Sequence, residues 1–392
     1  MKNIQKPSLW LIIFLVGFPQ ISETIYTPSL PELTKFLSAS DNDVQRTLSI
    51  YFLGFSVGVF LWGMLSDKIG RRKSMLYGIV LYVIGSLACY FSTDVYVLIL
   101  SRFVQAVGAS VGSNVTLTIL RDIYNDEERV GVFSKISAVL AFSPALGPVI
   151  GSFVAEFYGV SHVFLTLVII GFVALVWSYF RLGETLDTKQ APKKLNIRKA
   201  LKTIKGDRLF WVYGGLIGIS NGVLFSYYGE APFIFIKLLD FEIIHYGLIG
   251  FVIALAIFLG AKSCKKLSAK LTSYKVLNLG VVVILVGSGL FLTVPHLLSA
   301  NMWIGVGFIA SVFIIMFGIS LILPICLSNA LLNHKAHLGV SGAFLGLYYY
   351  VIVGVLTYGM SVLHTNSFYA FPMYVIGLTA VMYLLSKRLK YV

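Results

Sequence analysis

The chain has 392 residues, of which 57% are hydrophobic and only 12% are charged, and its mean hydropathy is +0.86. Soluble domains carry about 25% charged residues, so the composition excludes a water-soluble globular protein and indicates an integral membrane protein with many spans. The formal net charge of +14 invites a nucleic-acid partner, but its distribution along the chain excludes that class.

Twelve apolar stretches are long enough to cross a bilayer. Because backbone groups in lipid must form hydrogen bonds within their own segment, each stretch predicts a helix, whereas barrel strands would alternate in polarity. The first stretch lacks the features of a cleaved signal peptide. The predicted spans cover about 9–31, 46–65, 74–92, 95–120, 131–156, 162–181, 210–237, 244–262, 275–295, 302–324, 338–362 and 367–386. The predicted fold class is therefore an all-α membrane protein.

The basic residues are distributed asymmetrically among the loops between these spans. Of the 31 Lys and Arg residues, 27 fall on the side that carries both termini. The opposite side has only Lys35, Arg46 and Lys237, and Arg102 lies inside a span. Since positive loops remain in the cytoplasm, both termini are predicted to be cytoplasmic, in an inner membrane whose anionic lipid contacts the basic loops.

Spans 1, 4 and 7 each contain an ionisable residue, and such a residue at the centre of a span costs roughly 2.5–3.5 kcal/mol. Glu23 and Arg102 both lie about 12 Å from the outer surface at 1.5 Å per residue. Either the two side chains interact, or each forms separate hydrogen bonds to backbone or water. Glu230 lies within about 10 Å of the outer surface, as a solvated acid or as a cavity residue that binds a proton or a cation.

The loop between spans 2 and 3, GMLSDKIGRRK (63–73), combines one acid with four bases. Gly63 allows a neighbouring helix to approach, and Asp67 is suited to accept hydrogen bonds from the N-terminal amides of another helix. Arg71 and Arg72 are suited to forked pairs with carboxylates such as Asp122. This pattern predicts a latch that closes the cytoplasmic side, although the bases alone would also enforce topology. The predicted latch residues are Gly63, Asp67, Gly70, Arg71, Arg72 and Asp122.

Span 5 contains PALGPVIG (144–151), in which Pro144, Gly147, Pro148 and Gly151 are expected to interrupt helical hydrogen bonding. The segment predicts a hinge with a tight contact between two halves of the molecule. Close packing of helices is the alternative interpretation, because it also requires glycine.

The only long polar stretch divides the chain into six spans and six spans. Within it, residues 193–205 form either an amphipathic helix on the membrane surface or a flexible linker. Residues 25–31 and 228–235 each place a proline near the outward end of the first span of a half. Paired interrupted helices indicate a transporter's central site, and mere tolerance of proline is the alternative interpretation. The predicted units are an N-terminal bundle (1–181), a cytoplasmic linker (182–209) and a C-terminal bundle (210–392).

These motifs resemble those of the major facilitator superfamily. The loop at 63–73 is similar to the signature loop of that family, LSRFVQAVGAS (100–110) to its second motif, and 144–151 to the motif of its proton-driven antiporters. The resemblance implies two pseudo-symmetric six-helix bundles and alternating access. It also implies that the latch stabilises the outward-facing form by clasping spans 4 and 11. YTPSLP, RDIY and APFIF resemble most the bicyclomycin-resistance type of drug/proton antiporter.

Two acids depart from the pattern that this resemblance implies. Relatives commonly carry an aspartate where this chain has Thr24, and a small residue where it has Glu230. Glu23 is nevertheless the first candidate for the proton carrier, Glu230 the second, and Arg102 the residue that modulates it. Polar residues predicted to line the cavity, each equally consistent with helix packing, are Ser22, Tyr26, Asn114, Ser137, Asn221, Tyr227 and Tyr348.

The predicted function is a proton-coupled antiporter that exports small amphipathic molecules or drugs. It would act as a monomer, with protons, lipid and a small-molecule substrate as partners and with no cofactor other than the proton gradient. The alternative is a dedicated carrier, exporter or importer, for one metabolite such as a siderophore or an amino acid. An enzyme is not expected, because the sequence shows no nucleophile–base set, no phosphate-binding loop and no metal-ligand cluster among its six histidines.

Overall fold

The described part of the chain folds into helices joined by short turns and loops. A computed structural model describes residues 6–124, 126–186 and 197–389, and no β-strand occurs within those ranges. The helices are α1 Leu9–Thr24, α2 Leu30–Phe36, α3 Asp41–Ile69, α4 Arg71–Tyr90, α5 Val95–Ile123, α6 Asp126–Tyr158, α7 Val160–Arg181, α8 Ile197–Gly206, α9 Arg208–Pro232, α10 Ile243–Ser268, α11 Ser273–Leu297, α12 Asn301–Asn329, α13 Leu338–Leu363 and α14 Ala370–Lys387.

Eleven helical segments of the described chain are long and apolar enough to cross a membrane, and α6 provides a twelfth helix of 33 residues. The first span consists of α1, a 3₁₀ turn at Thr27–Ser29 and α2, and the seventh consists of α9 and a π-helix at Phe233–Leu238. The predicted all-α membrane fold is therefore confirmed. The first and seventh spans thus change helix type near their prolines, and a proline removes one backbone donor.

Helices α1–α7 pack mainly against one another, as do helices α9–α14. The two groups meet where α3 packs on α13 and where α6 packs on α10. Glycines permit these approaches: a Cβ added to Gly250 of α10 would lie 2.8 Å from the backbone oxygen of Ala145 in α6. We call the side that carries the start of α1 and the end of α14 the terminal face, and the other side the opposite face.

Helix α6 runs from Asp126 to Tyr158 as one α-helix. The helix therefore continues through residues 144–151 without a break, although Pro144 and Pro148 each lack the backbone donor of a helical hydrogen bond. Gly147 instead provides room for the end of the first span: a Cβ on Gly147 would lie 3.0 Å from the Ile25 nitrogen. Gly151 likewise faces the Ile25 backbone. The side chain of Pro144 lies outside the described part of the chain, and the hinge itself stays a prediction.

The segment between the halves contains a helix, α8, as one of the two interpretations of the linker predicted. Ile204 is buried, and its carbonyl accepts a hydrogen bond from the Trp211 indole nitrogen at 3.0 Å. Helix α8 also packs on α13 and on the 3₁₀ turn Leu332–His337. Part of its apolar face is therefore covered by protein. Residues 187–196 lie outside the described chain.

Candidate functional site

Glu23 lies in the last turn of α1, where the first span changes to its 3₁₀ turn. Its side chain is only 1% exposed, and its Oε1 atom has no hydrogen-bond partner among the described residues. A buried carboxyl group without a partner is energetically costly, and the cost is far larger for the ionised form than for the protonated form. The energy of the protein in this conformation therefore depends strongly on whether Glu23 is protonated.

Arg102 of α5 is completely buried next to the first span. Its Nη1 donates to the Ser22 carbonyl at 3.4 Å and to the Gln105 side chain. Its guanidinium lies between the rings of Tyr26 and Tyr51, 4.2 Å and 4.1 Å from their centroids. Cation–π contacts of this kind stabilise a desolvated cation by about 2 kcal/mol.

The direct contact considered for Glu23 and Arg102 is not formed. The two residues interact electrostatically, but no ion pair between them occurs in the described chain, and Arg102 bonds to a backbone carbonyl and an amide instead. Its Nε and Nη2 atoms have no hydrogen-bond partner there either. Donors of Arg102 and an acceptor of Glu23 are thus both unsatisfied in the same region.

Aromatic rings from both halves meet beside this pair. Phe52 of α3 lies 4.3 Å from Phe225 of α9, and Phe55 of α3 lies 4.6 Å from Tyr350 of α13, measured between ring centroids. Tyr51, which contacts Arg102, also packs on Phe55. We call Tyr51, Phe52, Phe55, Phe225 and Tyr350 the aromatic cluster; it joins the two halves at the depth of the buried charges.

The residues predicted to line the cavity from the N-terminal half have mixed positions. Tyr26 lies against the Arg102 guanidinium, and its hydroxyl is 3.1 Å from the Thr47 hydroxyl. The Ser22 hydroxyl is also buried. Asn114 donates to the Val59 carbonyl of α3 at 2.7 Å, which is a contact between packed helices. The side chain of Ser137 lies outside the described part of the chain.

The corresponding residues of the C-terminal half mostly make packing contacts. Asn221 donates to the Ile217 carbonyl of its own helix at 3.0 Å. Tyr227 packs on Phe371 of α14, and Tyr348 packs on Trp211, to whose carbonyl it donates at 3.4 Å. The side chain that joins the aromatic cluster is that of Tyr350, two residues further along α13.

Glu230 lies near the opposite face and is 1% exposed, so the interpretation of this residue as a solvated acid is wrong. Its Oε2 accepts a hydrogen bond from Gln45 of α3 at 3.0 Å, and His364 Nδ1 lies 2.8 Å from the same oxygen. On the other side of the ring, His364 Nε2 lies 3.5 Å from Asp41.

Asp41 continues this set of contacts toward solvent. Its Oδ2 accepts from the Lys237 ammonium at 2.5 Å and from the Asn366 amide at 3.0 Å. Asp41 and Gln45 belong to the N-terminal half, whereas Glu230, Lys237 and His364 belong to the C-terminal half. We call these five residues the gate cluster, because its contacts join the two halves at the opposite face.

The predicted latch residues lie near the terminal face and make hydrogen bonds inside the N-terminal half, and the latch role itself stays a prediction. Arg71 is mostly buried; its Nη1 donates to Asp67 at 2.5 Å and its Nε donates to Asp122 at 3.0 Å. Arg72 donates to the Tyr179 carbonyl rather than to a carboxylate. Among the described latch residues, the contact toward the other half is made by Gly63, whose added Cβ would lie 3.5 Å from Ala343 of α13.

Glu184 occupies the role that the sequence suggested for Asp67. Its carboxylate accepts hydrogen bonds from the backbone nitrogens of Arg71 at 2.8 Å and Arg72 at 3.3 Å, the first amides of α4. Gly70, with φ of +99°, turns the chain so that these amides point at Glu184. Asp67, near the end of α3, instead accepts from the Arg71 side chain across the turn at Gly70.

The comparisons with known proteins agree with this architecture. The family model described as Major Facilitator Superfamily matches residues 9–360. The chain belongs to the major facilitator superfamily. It is thus a multi-pass membrane transporter, which works in lipid on a small-molecule substrate, and members of this superfamily are not enzymes.

A Rickettsia felis protein described as an uncharacterized transporter is 34% identical over 378 residues, which cover 94% of this chain and 92% of the relative. The bicyclomycin resistance protein homolog of Haemophilus influenzae is 26% identical over 235 residues, or 59% of this chain and 58% of that protein. The E. coli xylose transporter XylE, in a partially occluded inward open conformation, shares the fold, with a TM-score of 0.76 at 12% identity over 97% of both chains.

Sequence reasoning missed several residues of this superfamily member. Gln45, Asp41 and His364 lie at the ends of spans, where polar residues are common. The signal that could have found them is Glu230, because an acid inside a span requires buried partners. Glu184 lies in the polar linker. Among the described residues, no group of three or more His, Cys, Asp or Glu is arranged to hold a metal ion.

Proposed function

We propose that this transporter is a proton-coupled antiporter that exports small amphipathic molecules across the inner membrane, with both termini in the cytoplasm. Similarity to a protein named for bicyclomycin resistance supports drug export. The 27 basic residues on the terminal side support the orientation. Under this orientation the opposite face is the outer face.

The observation that carries the proposal is the buried, unpartnered oxygen of Glu23 beside the unpartnered nitrogens of Arg102. In this conformation Glu23 is the neutral, protonated acid, because an ionised carboxylate without a partner would be far more costly there. Loss of the proton creates a charge that Arg102 attracts. The proton and Arg102 therefore compete for the same carboxyl group, and a conformational change that opens it to water on one side decides which of them binds.

The aromatic cluster supports an amphipathic substrate. Binding sites for small organic molecules are lined mainly by apolar and aromatic side chains, with a few polar groups that fix orientation. Phe52, Phe225 and Tyr350 provide the apolar surface from both halves, and Arg102 and Glu23 provide the polar groups. A substrate inserted between these rings would separate the halves at the depth where the proton binds, which couples the two events.

The test is a flux assay in proteoliposomes with an imposed pH gradient, using a panel of amphipathic drugs. Glu23→Gln, which mimics the protonated acid, is expected to abolish gradient-driven transport while substrate binding to the purified protein persists. Glu156→Gln changes an exposed acid on α6 and serves as the control. Undiminished gradient-driven transport by Glu23→Gln would contradict the carrier role. Transport of a single metabolite and none of the drugs would contradict drug export and support the dedicated carrier.

A further inference from the structure

The gate cluster contains buried ionisable groups that the proposed function does not use. Glu230 and His364 are separated from Glu23 in the chain by whole spans, and both side chains are 1% exposed. Every long-range contact of the cluster that involves Asp41 or Gln45 joins the N-terminal half to the C-terminal half. Its stability therefore bears directly on whether the opposite face is closed.

The charges of the cluster balance when His364 is protonated. Ionised Glu230 and Asp41 then face imidazolium on one side and Lys237 on the other, which gives two negative and two positive charges. A protonated ring donates from both nitrogens, so that Nδ1 bonds to Glu230 while Nε2 attracts Asp41 across the halves. A neutral ring with its proton on Nδ1 still donates to Glu230, but its Nε2 no longer attracts Asp41, and the cluster is left with one uncompensated negative charge.

We propose that His364 and Glu230 form a proton-binding site, and that its occupancy by a proton holds the gate cluster closed. When His364 loses its proton, the neutral ring keeps its Nδ1–H bond to Glu230, but the positive charge that balanced this buried carboxylate is gone. A buried ion of this kind is stable only when paired. Separation of the halves at the opposite face relieves the strain, because water then reaches Glu230.

The direction of the pH dependence follows from the groups that face His364. Burial alone would lower the pKa of His364, but its hydrogen bond to Glu230 and the charges of Glu230 and Asp41 raise it above its ordinary value. A histidine with a raised pKa stabilises the closed form fully below its ordinary pKa, and this stabilisation is lost as pH rises through the raised value. Lys237 faces Asp41 and not the imidazole, and thus keeps Asp41 in place throughout.

The test measures the separation of the halves directly, without any substrate. One spin label is attached at each of two introduced cysteines, Lys35→Cys on α2 and Ser299→Cys between α11 and α12. Both positions are exposed on the opposite face, and they belong to different halves. The three native cysteines are buried, and singly labelled protein gives their background. In nanodiscs, the population with the longer distance is expected to increase as pH is raised from about 6 to about 9.

Variants of the cluster separate a proton site from a simple structural contact. His364→Gln is expected to abolish the pH dependence and to resemble the wild type at high pH throughout. Glu230→Gln removes the carboxylate but keeps the histidine, so the transition is expected to move toward acid. The double variant Glu230→Gln with His364→Gln keeps neutral hydrogen-bonding groups at both positions, and its distances are expected to be independent of pH.

The matched control is His245→Gln, which changes an exposed histidine that lies 3.4 Å from Glu242 on the same face. It is expected to keep the wild-type pH dependence. A wild-type distance distribution that does not change with pH would overturn the proposal, as would wild-type pH dependence in His364→Gln or its loss in His245→Gln. The readout involves neither Glu23 nor a transported molecule, so a failure here is distinct from a failure of the proposed antiport.

Discussion

Glu184 offers the sharpest test of how the latch is held together. Its carboxylate accepts hydrogen bonds from the amides of Arg71 and Arg72 at the start of α4, and also from Thr185 and Leu186 in its own turn. Replacing a side chain that caps a helix costs about 1 kcal/mol, and removing a negative charge from a helix N-terminus adds about 0.3–1 kcal/mol. Because Glu184 is exposed to solvent, the expected total for Glu184→Ala stays near 1.4 kcal/mol, which is about tenfold in an equilibrium.

Hydrogen–deuterium exchange of the purified protein measures this effect locally. In Glu184→Ala, the amides at the start of α4 are expected to exchange about tenfold faster than in the wild type. Glu184→Gln keeps an acceptor but not the charge, so its exchange rate is expected to lie between those of the wild type and Glu184→Ala. Glu242 provides a matched control, because it also precedes a helix but its side chain accepts no hydrogen bond from the first amides of α10. If Glu242→Ala accelerates exchange at its helix as much as Glu184→Ala does at α4, the capping argument is refuted.

Three further substitutions probe other contacts. Gly151→Ala would place a methyl group 2.7 Å from the Ile25 carbonyl carbon. Overpacking is therefore expected to destabilise the protein by about 1–3 kcal/mol, which a thermal unfolding assay measures. Gly377→Ala is the control and is expected to leave stability unchanged, because nothing lies within 4 Å of its added Cβ. Trp211→Phe removes the hydrogen bond to α8, worth about 1 kcal/mol, and faster limited proteolysis between the halves is expected; unchanged cleavage would mean that α8 is held by its other contacts. Arg102→Lys keeps the charge, but a lysine side chain cannot lie flat between two rings. Losing about 1.4 kcal/mol of cation–π stabilisation is expected to slow substrate flux about tenfold. Flux equal to that of the wild type would exclude a role for the stacking.

Hydropathy predicted the number and order of the spans but placed several helix ends too far inward. Helix α3 begins at Asp41, about five residues before the apolar stretch, because Ser40 caps it by accepting a hydrogen bond from the Asp43 amide at 3.1 Å. Polar first turns are favourable for a helix, yet they lower the local hydropathy on which the prediction rests. Asp41 of the gate cluster belongs to such a turn, so hydropathy placed it outside the span.

The partners of the buried charges depend on which helices become neighbours. Counting residues from the span ends placed Glu23 and Arg102 at similar depths, and both are indeed buried. Depth does not specify the rotation of each helix, so the count could not distinguish an ion pair from the contacts that Arg102 makes with two tyrosines. The partner of Glu230 could not be predicted from depth either. His364 lies 134 residues away in the chain, and nothing in the sequence around His364 indicates the contact.

The two sets of charged contacts differ in what they connect, and this difference bears on transport. At the terminal face, the described ion pairs of Arg71 end on Asp67 and Asp122, which belong to the same half. At the opposite face, the bonds of Asp41 and Gln45 end on the other half. Charge therefore ties the halves together at the opposite face in this conformation. Because a rigid half cannot tilt open at one end while it is bonded there, the contacts of Asp41 and Gln45 must break before the opposite face can open. A change in the proton occupancy of the gate cluster would thus set the order of events.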